Sequence, residues 1–231
     1  MPKKLRLHSE VAYLLSIVLL ALSVAMITAT DYGVSMIVAP AYLLSLKAGL
    51  TFGQSEYIVQ GILLVVFCLL MKKVKLVYFS SFVTGLIYGA VLDFWRMVIP
   101  HFNPDITPPG SLPQSLLLVY FVLGMCMTAF SIALFFRVYL YPQIYDFFVK
   151  GISEHFHINR TRFKQFFDFS CLFISCAMTL LLFRDFVGVG IGTLVMTVCN
   201  GFLIGTFGKI QDRLFDIQPL FPRFAAYFDL D

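Results

Sequence analysis

Long apolar stretches separated by short polar links make up most of the chain. A helix that spans a bilayer needs about 20 mostly apolar residues. Six stretches reach or approach that length: 11–29, 54–71, 76–95, 115–136, 165–183 and 186–207. The pattern predicts an all-α integral membrane protein with about six transmembrane helices.

Two further apolar stretches are shorter, and each contains a proline. Pro40 interrupts 33–50, and Pro142 interrupts 138–152. Irregular backbone is tolerated at membrane depth only where protein or a water-filled cavity satisfies it. Each segment is therefore either re-entrant, with polar surroundings, or an interfacial amphipathic helix. If both crossed the membrane instead, the spans would number eight.

The basic residues give the orientation. With six spans and a cytoplasmic N-terminus, most of the 17 Lys and Arg lie inside, and Lys47, Arg96 and Arg184 lie outside. Cytoplasmic loops are enriched in Lys and Arg, so this arrangement is the expected one. If 33–50 crossed alone, the basic cluster at 72–75 would fall outside. We therefore expect both termini in the cytoplasm, with 208–231 as a cytoplasmic amphipathic tail.

Composition excludes a soluble fold and offers no catalytic chemistry. Hydrophobic residues make up 59% of the chain and charged residues 13%, whereas soluble domains are near half apolar and a quarter charged. The five Cys and four His lack metal-ligand spacing, and no hydrolase or phosphate-binding motif is present. The sequence predicts no enzyme activity, no metal or cofactor and no nucleic-acid partner.

The order of apolar segments repeats. Residues 1–100 read as a span, a proline-containing segment and two spans, and 114–207 read the same way. Three crossings per half would insert the second repeat upside down relative to the first. Inverted repeats with matched interrupted segments are typical of secondary transporters, whose substrate binds near the midplane.

Ionisable and polar residues at membrane depth are the candidates for a substrate path. Asp168 lies near the start of the fifth span, and Asp146 lies in the second interrupted segment. Asp93 lies near the end of the third span, where pairing with Arg96 in the next turn is the alternative to a site role. The full set of substrate-path candidates is Ser35, Gln60, Asp93, Tyr145, Asp146, Arg162 and Asp168.

A GxxxG motif occurs at matching places in the two halves. Gly85 and Gly89 form the first, and Gly201 and Gly205 the second. Small residues let helix backbones approach closely. We expect these glycines to pack the two halves together rather than to touch a substrate.

The segment around Gly33-Val34-Ser35 and Leu50-Thr51-Phe52-Gly53 resembles the first repeat of the YczE/YitT-like family of bacterial membrane proteins. Tyr145-Asp146, Ser153-Glu154, Arg162 and Asp168 fall where that family often has Tyr-Asp, Ser-Glu, Arg and Asp. Asp93 matches a frequent Asp of its third span. Met36-Ile37-Val38 replaces the family's Pro-Trp-Asp, so the first repeat lacks that carboxylate. The resemblance implies a multi-pass protein of the bacterial cytoplasmic membrane, from a family of poorly assigned function whose members are described as integral membrane proteins or candidate transporters.

These patterns favour a secondary transporter or permease that moves a small molecule or ion between two inverted repeats. The rival hypothesis is a non-transporting scaffold or accessory subunit that assists a partner membrane protein. A homo-oligomer is compatible with either hypothesis. The rival hypothesis predicts that no solute shifts the melting temperature and that a partner protein co-purifies.

Overall fold

The computed structural model describes residues 4–225, apart from the side chains of residues 76, 77, 223 and 224. Its helices are α1 (Ser9–Thr30), α2 (Ala39–Ala48), α3 (Phe52–Met71), α4 (Leu76–Val98), α5 (Gln114–Phe135), α6 (Ile144–His155), α7 (Arg160–Phe183), α8 (Ile191–Leu214) and α9 (Pro222–Ala225). Two short strands, β1 (Leu5–His8) and β2 (Phe215–Gln218), flank α1 and α8. Lys3 and residues 226–231 of the expected tail lie outside the described part, as does the Arg223 side chain.

Five helices in the described part are long and apolar enough to cross a membrane: α1, α3, α5, α7 and α8. The sixth expected span coincides with the 23-residue helix α4. Large apolar side chains point away from the protein, with Leu181 80% and Val198 78% exposed. A water-soluble protein rarely exposes such an extended apolar surface. The fold is that of a helical protein embedded in a membrane.

The helix ends follow from local sequence. The Thr51 hydroxyl oxygen accepts a hydrogen bond from the Gln54 N–H, and the Gln54 side-chain oxygen accepts one from the Thr51 N–H, so α3 starts with a capping box. Asn159 caps α7 by accepting from the Arg162 N–H. Lys72 and Arg184 end α3 and α7 in the left-handed conformation.

The two proline-containing segments form short helices whose first turns lie close to the prolines. Pro40 lies in the first turn of α2, where a missing N–H costs nothing. Pro142 lies just before α6. With 10 residues in α2 and 12 in α6, neither helix reaches the length of a span. Both bury residues such as Leu43 and Ile144 completely, so each is packed within the protein.

The helices pack around a central pair. α1 lies against α5, α4 packs on α1, and α8 packs on α5. α3 packs on α2, α4 and α6, while α7 packs on α2 and α6. One apolar cluster surrounds Ile17, Tyr88 and Phe121, and a second surrounds Phe67, Phe147 and Phe167.

The segment from residue 208 onward differs from the expected tail. α8 continues to Leu214, and β2 then pairs in parallel with β1, Leu5 beside Phe215 and His8 beside Gln218. The Arg137 guanidinium explains this extension: it donates to Gly208 O at 2.6 Å and to both Asp212 carboxylate oxygens at 2.7 Å. A bidentate contact of this kind anchors the last turns of α8 on the end of α5.

Candidate functional site

A cavity of about 310 Å³ lies among the helices, and we call it the central cavity. Its walls come from α1, α4, α5, α6, α7, α8 and the loop before α2. The volume is at the lower end of the range for pockets that hold small ligands, about 300–1,000 Å³. Both halves of the chain therefore contribute to the walls of one cavity.

The wall is apolar over most of its area, with a few polar groups on one part. Val24, Ile27, Met36 and Phe135 belong to the apolar part. The polar and charged lining residues are Ser35, Tyr88, Thr128, Gln143, Tyr145, Asp146, Lys164, Asp168, Thr197 and Asn200. A mostly apolar pocket with a small set of polar groups is the usual composition of a small-molecule site.

Three charged side chains form what we call the acid–lysine cluster: Asp146, Lys164 and Asp168. Lys164 Nζ lies 3.2 Å from an Asp146 oxygen and 3.2 Å from an Asp168 oxygen. Asp168 and Lys164 are one turn apart on α7, whereas Asp146 comes from the first turn of α6. The three side chains remain partly exposed, and with two carboxylates and one ammonium the cluster carries a net negative charge.

A second polar group lies behind the cavity wall, and we call it the Glu56 network. Tyr145 Oη donates to Glu56 Oε2 at 2.9 Å, and Gln60 Nε2 donates to the same oxygen at 2.9 Å. Gln60 Nε2 also lies 3.3 Å from Gln143 Oε1. Glu56 and Gln60 are fully buried. Because Tyr145 and Gln143 also line the central cavity, the network is joined to it.

A larger depression of about 610 Å³, the vestibule, adjoins the central cavity. The two share Phe135, Phe136, Pro142, Asp146 and Lys164. The vestibule adds basic residues at Lys150 and Arg160, and Lys150 Nζ lies 5.7 Å from the centre of the Tyr141 ring. The Asp146–Lys164 ion pair therefore belongs to the walls of both spaces.

Tyr139 forms another part of the vestibule wall. Its hydroxyl donates to Glu10 Oε1 at 2.7 Å. Burial raises the pKa of Tyr139 to about 12, and the hydrogen bond to Glu10 adds to the effect. The phenol therefore stays protonated and remains a donor at physiological pH.

Most of the expected substrate-path residues lie at the central cavity. Ser35, Tyr145, Asp146 and Asp168 line it, and Gln60 lies in the Glu56 network behind its wall. Arg162 does not line it: this residue is exposed in the first turn of α7, where its N–H is capped by Asn159.

Asp93 does not line the central cavity and instead contacts the start of α3. Its carboxylate accepts hydrogen bonds from the Thr51 hydroxyl and, at 2.8 Å, from the Gly53 N–H. Asp93 therefore holds the start of α3 on the end of α4. The expected ion pair with Arg96 is not among the ion pairs of the described residues, and the Arg96 guanidinium lies 5.4 Å from the Phe52 ring centre.

The glycine motifs differ from the expected contact between halves. Gly85 and Gly89 face α3 of their own half: a Cβ on Gly85 would overlap the Gln60 side chain, and one on Gly89 would overlap Tyr57. No described atom lies within 4 Å of the Cβ position of Gly201 or Gly205. The close backbone approach is therefore between α3 and α4, and Gly201 belongs to the cavity wall.

Sequence reasoning missed Glu56, and it considered Lys164 only as a pairing partner of Asp168, with Arg162 as the other choice, and not as a site residue. Glu56 was visible as an acid inside the apolar stretch 54–71, four residues before Gln60, so the two side chains share a helix face. Lys164 was read among basic residues of a cytoplasmic link. Its place at the cavity depends on how α7 meets α6, which sequence alone does not show.

Comparison with known proteins identifies a family but no activity. The model of a family of unknown function, DUF6198, matches residues 7–209. Among curated proteins and among solved structures, none matches the chain.

Proposed function

We infer the function from the central cavity, because the chain belongs to the DUF6198 family, whose function is unknown. We propose a secondary transporter that moves a small solute across a bacterial plasma membrane by alternating access between two inverted three-span repeats. The observation that carries this proposal is one cavity, walled by both halves, with the acid–lysine cluster at its junction with the vestibule. The resemblance to YczE/YitT-like proteins is compatible with it.

The packing of the helices supports two related halves. An exchange of the two halves maps the helices α1, α2, α3 and α4 onto α5, α6, α7 and α8. The contact of α1 with α4 then maps onto the contact of α5 with α8, and the contact of α2 with α7 maps onto that of α6 with α3. The α2–α3 contact likewise becomes α6–α7, and α1–α5 becomes itself. These contacts are present in both halves, whereas the α3–α4 contact has no comparable α7–α8 counterpart among the described residues, so the packing supports a partial two-fold relation.

Local features recur in the same order. Thr51 and Asn159 are side-chain N-caps of α3 and α7, and Lys72 and Arg184 end those helices with positive φ. Glu56 and Lys164 lie at the same distance beyond their N-caps, as do Gln60 and Asp168. The two polar pairs at the cavity thus occupy corresponding helix positions.

The paired strands support six crossings. β1 directly precedes α1, and β2 directly follows α8. Because the strands pair, both ends lie on one side of the membrane, and the chain between them crosses an even number of times. The five long apolar helices plus α4 give six, while α2 and α6 are too short to add a crossing. Arg6 on β1 and the basic residues at 72–75 favour the cytoplasmic side.

The charge of the acid–lysine cluster indicates the class of solute. Two carboxylates and one ammonium leave a net negative charge in a mostly apolar cavity, which favours a small solute with a protonated amine. Such an amine would compete with Lys164 for the carboxylates. Since the Asp146–Lys164 pair stands between cavity and vestibule, this exchange would couple binding to the opening of that side.

Transport into proteoliposomes tests the proposal. The probes are labelled primary amines: the amino acids and putrescine. We expect uptake of at least one probe by the wild type, and at least a tenfold loss in both Asp146→Asn and Asp168→Asn. Asp105→Asn, in the exposed loop after α4, is the matched control and should transport normally.

Equal uptake by the wild type and both cluster variants would refute the site assignment. If no amine is taken up or shifts the melting temperature, and a membrane protein co-purifies, the accessory-subunit hypothesis is favoured instead.

A further inference from the structure

We propose that Glu56 is the coupling group of this transporter, a carboxyl group that takes up and releases one proton per cycle. The inference rests on the proposed transport function and adds the coupling ion to it. It starts from a contrast between the two corresponding polar pairs, Glu56–Gln60 on α3 and Lys164–Asp168 on α7.

The pair on α7 is internally compensated, whereas the pair on α3 is not. Asp168 has Lys164 one turn away at 3.2 Å. Glu56 has Gln60 at the equivalent spacing, which is neutral, and Glu56 takes part in no ion pair among the described residues. An ionised carboxylate buried without a partner is strongly disfavoured. A neutralising species must therefore come from solution.

The immediate contacts favour a proton over a metal ion. Glu56 is 0% exposed, and its Oε2 receives hydrogen bonds from Tyr145 Oη and Gln60 Nε2. A metal cation requires several oxygen ligands around it, whereas these two groups present hydrogens to the carboxyl group. Among the described residues, Glu56 Oε1 has no hydrogen-bond partner, so no protein donor stabilises a negative charge on that oxygen.

The charged groups on the neighbouring elements are engaged elsewhere. Tyr88 of α4 and Tyr145 of α6 are the titratable side chains that face Glu56 electrostatically. The charged residues of α2, α4 and the cavity side of α6 have other contacts, namely Lys47 with Leu182 O, Asp93 with the start of α3, Arg96 with Phe52, Asp146 with Lys164 and Lys150 with Tyr141. None of the charged side chains that the structure describes is therefore in place to compensate Glu56.

Tyr145 links the buried carboxyl group to the cavity. It belongs to the cavity wall and donates to Glu56 Oε2. Water in the cavity can give a proton to Tyr145 Oη while the tyrosine passes its own proton to the Glu56 carboxylate. The net change is one O–H bond formed on Glu56 and one broken on the hydronium ion. The O–H bond of Tyr145 is broken and re-formed, so the tyrosine ends protonated as it began. The reverse sequence releases the proton.

Helix α6 would couple the binding of the solute to the binding of the proton. Tyr145 contacts Glu56, and its neighbour Asp146 belongs to the acid–lysine cluster. A shift of the first turn of α6 would change both contacts together. This arrangement predicts that solute transport responds to a proton gradient.

Infrared spectroscopy of the protein in liposomes tests the proton without any solute. We expect the difference between wild type and Glu56→Gln to contain the C=O stretching band of a protonated carboxylic acid at neutral pH. The matched control is Glu154→Gln, at an exposed position of α6, which should leave that band intact. If the wild type and Glu56→Gln do not differ in this band at acidic or neutral pH, the inference is overturned.

Transport of an amine probe supplies the second test. An acid-outside gradient should raise wild-type uptake at least tenfold, and Glu56→Gln should lose this stimulation while still exchanging labelled for unlabelled solute. Tyr145→Phe keeps the ring but removes the hydroxyl, so gradient-driven uptake should fall while the acid band persists. This second variant keeps the test decisive if Glu56→Gln fails to fold.

The two proposals fail in distinguishable ways. Uptake that ignores the proton gradient, or that a sodium gradient drives instead, overturns the role of Glu56 and leaves the transporter intact. Absence of any amine uptake counts against the proposed function, and the infrared band still decides whether Glu56 holds a proton.

Discussion

Glycines on α3 and α4 set how closely these helices approach. A Cβ on Gly53 would overlap the backbone oxygen of Gly89, and a Cβ on Gly89 would stand 3.0 Å from Gly53 O. The close contact brings α4 against the helix that carries Glu56 and Gln60. The position of the Glu56 network therefore depends on residues that have no side chain.

Substitution of one of these glycines should loosen the network. In Gly89→Ala the new methyl group must displace Tyr57 or separate α3 from α4, and overpacking of this kind costs about 1–3 kcal/mol. We expect a lower melting temperature in detergent. Gly205→Ala is the control, because its methyl group meets open space and helix propensity favours Ala by about 1 kcal/mol. Equal effects of the two changes would contradict the assigned α3–α4 contact.

At this scale the sequence predicted some site residues and not others, for physical reasons. Asp146 and Asp168 stand out because an acid at membrane depth is costly, and both line the cavity. Gly85 and Gly89 were expected to pack the two halves together, whereas they face α3 of their own half, because a four-residue spacing does not specify the partner helix. In sequence Asp93 resembles Asp168, since each is an acid in an apolar stretch. The Asp93 carboxylate nevertheless accepts a hydrogen bond from the Gly53 N–H, which lies on another helix.

The beginning of α3 is held by contacts from its own sequence and from α4. Thr51 and Gln54 form the capping box, and Asp93 accepts from Gly53 N–H and the Thr51 hydroxyl. The first turn of α3 leads directly to Glu56. Order in this turn therefore fixes where the buried carboxyl group stands.

Removal of the Asp93 carboxylate should weaken that turn. In Asp93→Ala the Gly53 N–H loses its acceptor, and loss of an N-terminal cap costs about 1–2 kcal/mol. We expect a lower melting temperature and faster hydrogen exchange at the first turn of α3. Asp105→Ala, on an exposed loop, should change neither, and an unaltered exchange rate in Asp93→Ala would count against the capping role.

Element boundaries were partly accessible from sequence. Long apolar runs predicted the positions of the long helices, since their length and hydropathy are local properties. Pro40 and Pro142 were read as interruptions, whereas Pro40 lies in the first turn of α2 and Pro142 lies two residues before α6. β1 and β2 were missed because four residues carry almost no periodic signal, and each strand exists only through the other.

Hydrogen bonds that Glu10 accepts join the start of α1 to the segment after β2 and to the loop between α5 and α6. Glu10 on α1 accepts from the N–H groups of Leu220 and Phe221, the closest at 2.9 Å, and from Tyr139 Oη. The parallel pairing of β1 with β2 extends this contact. We call these contacts of Glu10 the clasp. Because Tyr139 also lines the vestibule, the clasp lies beside the vestibule wall.

Loss of the Glu10 carboxylate should release the segment after β2. Glu10→Gln replaces one acceptor oxygen by an amide NH₂, which opposes the backbone N–H groups. We expect chymotrypsin to cleave near Leu220 and Phe221 at least tenfold faster. Glu154→Gln, at an exposed site, is the control. Equal cleavage of wild type and Glu10→Gln would show that the clasp does not restrain this segment.

The clasp can form only after both of its parts have been synthesised. Glu10 and its partner Leu220 are 210 residues apart in the chain, and ribosomes add about 5–20 residues per second. On the order of 10–40 s of synthesis therefore separates the appearance of the first partner from that of the last. Throughout this interval α1 must remain in the membrane without its contacts to Leu220 and Phe221, which form only after the first 221 residues have been made.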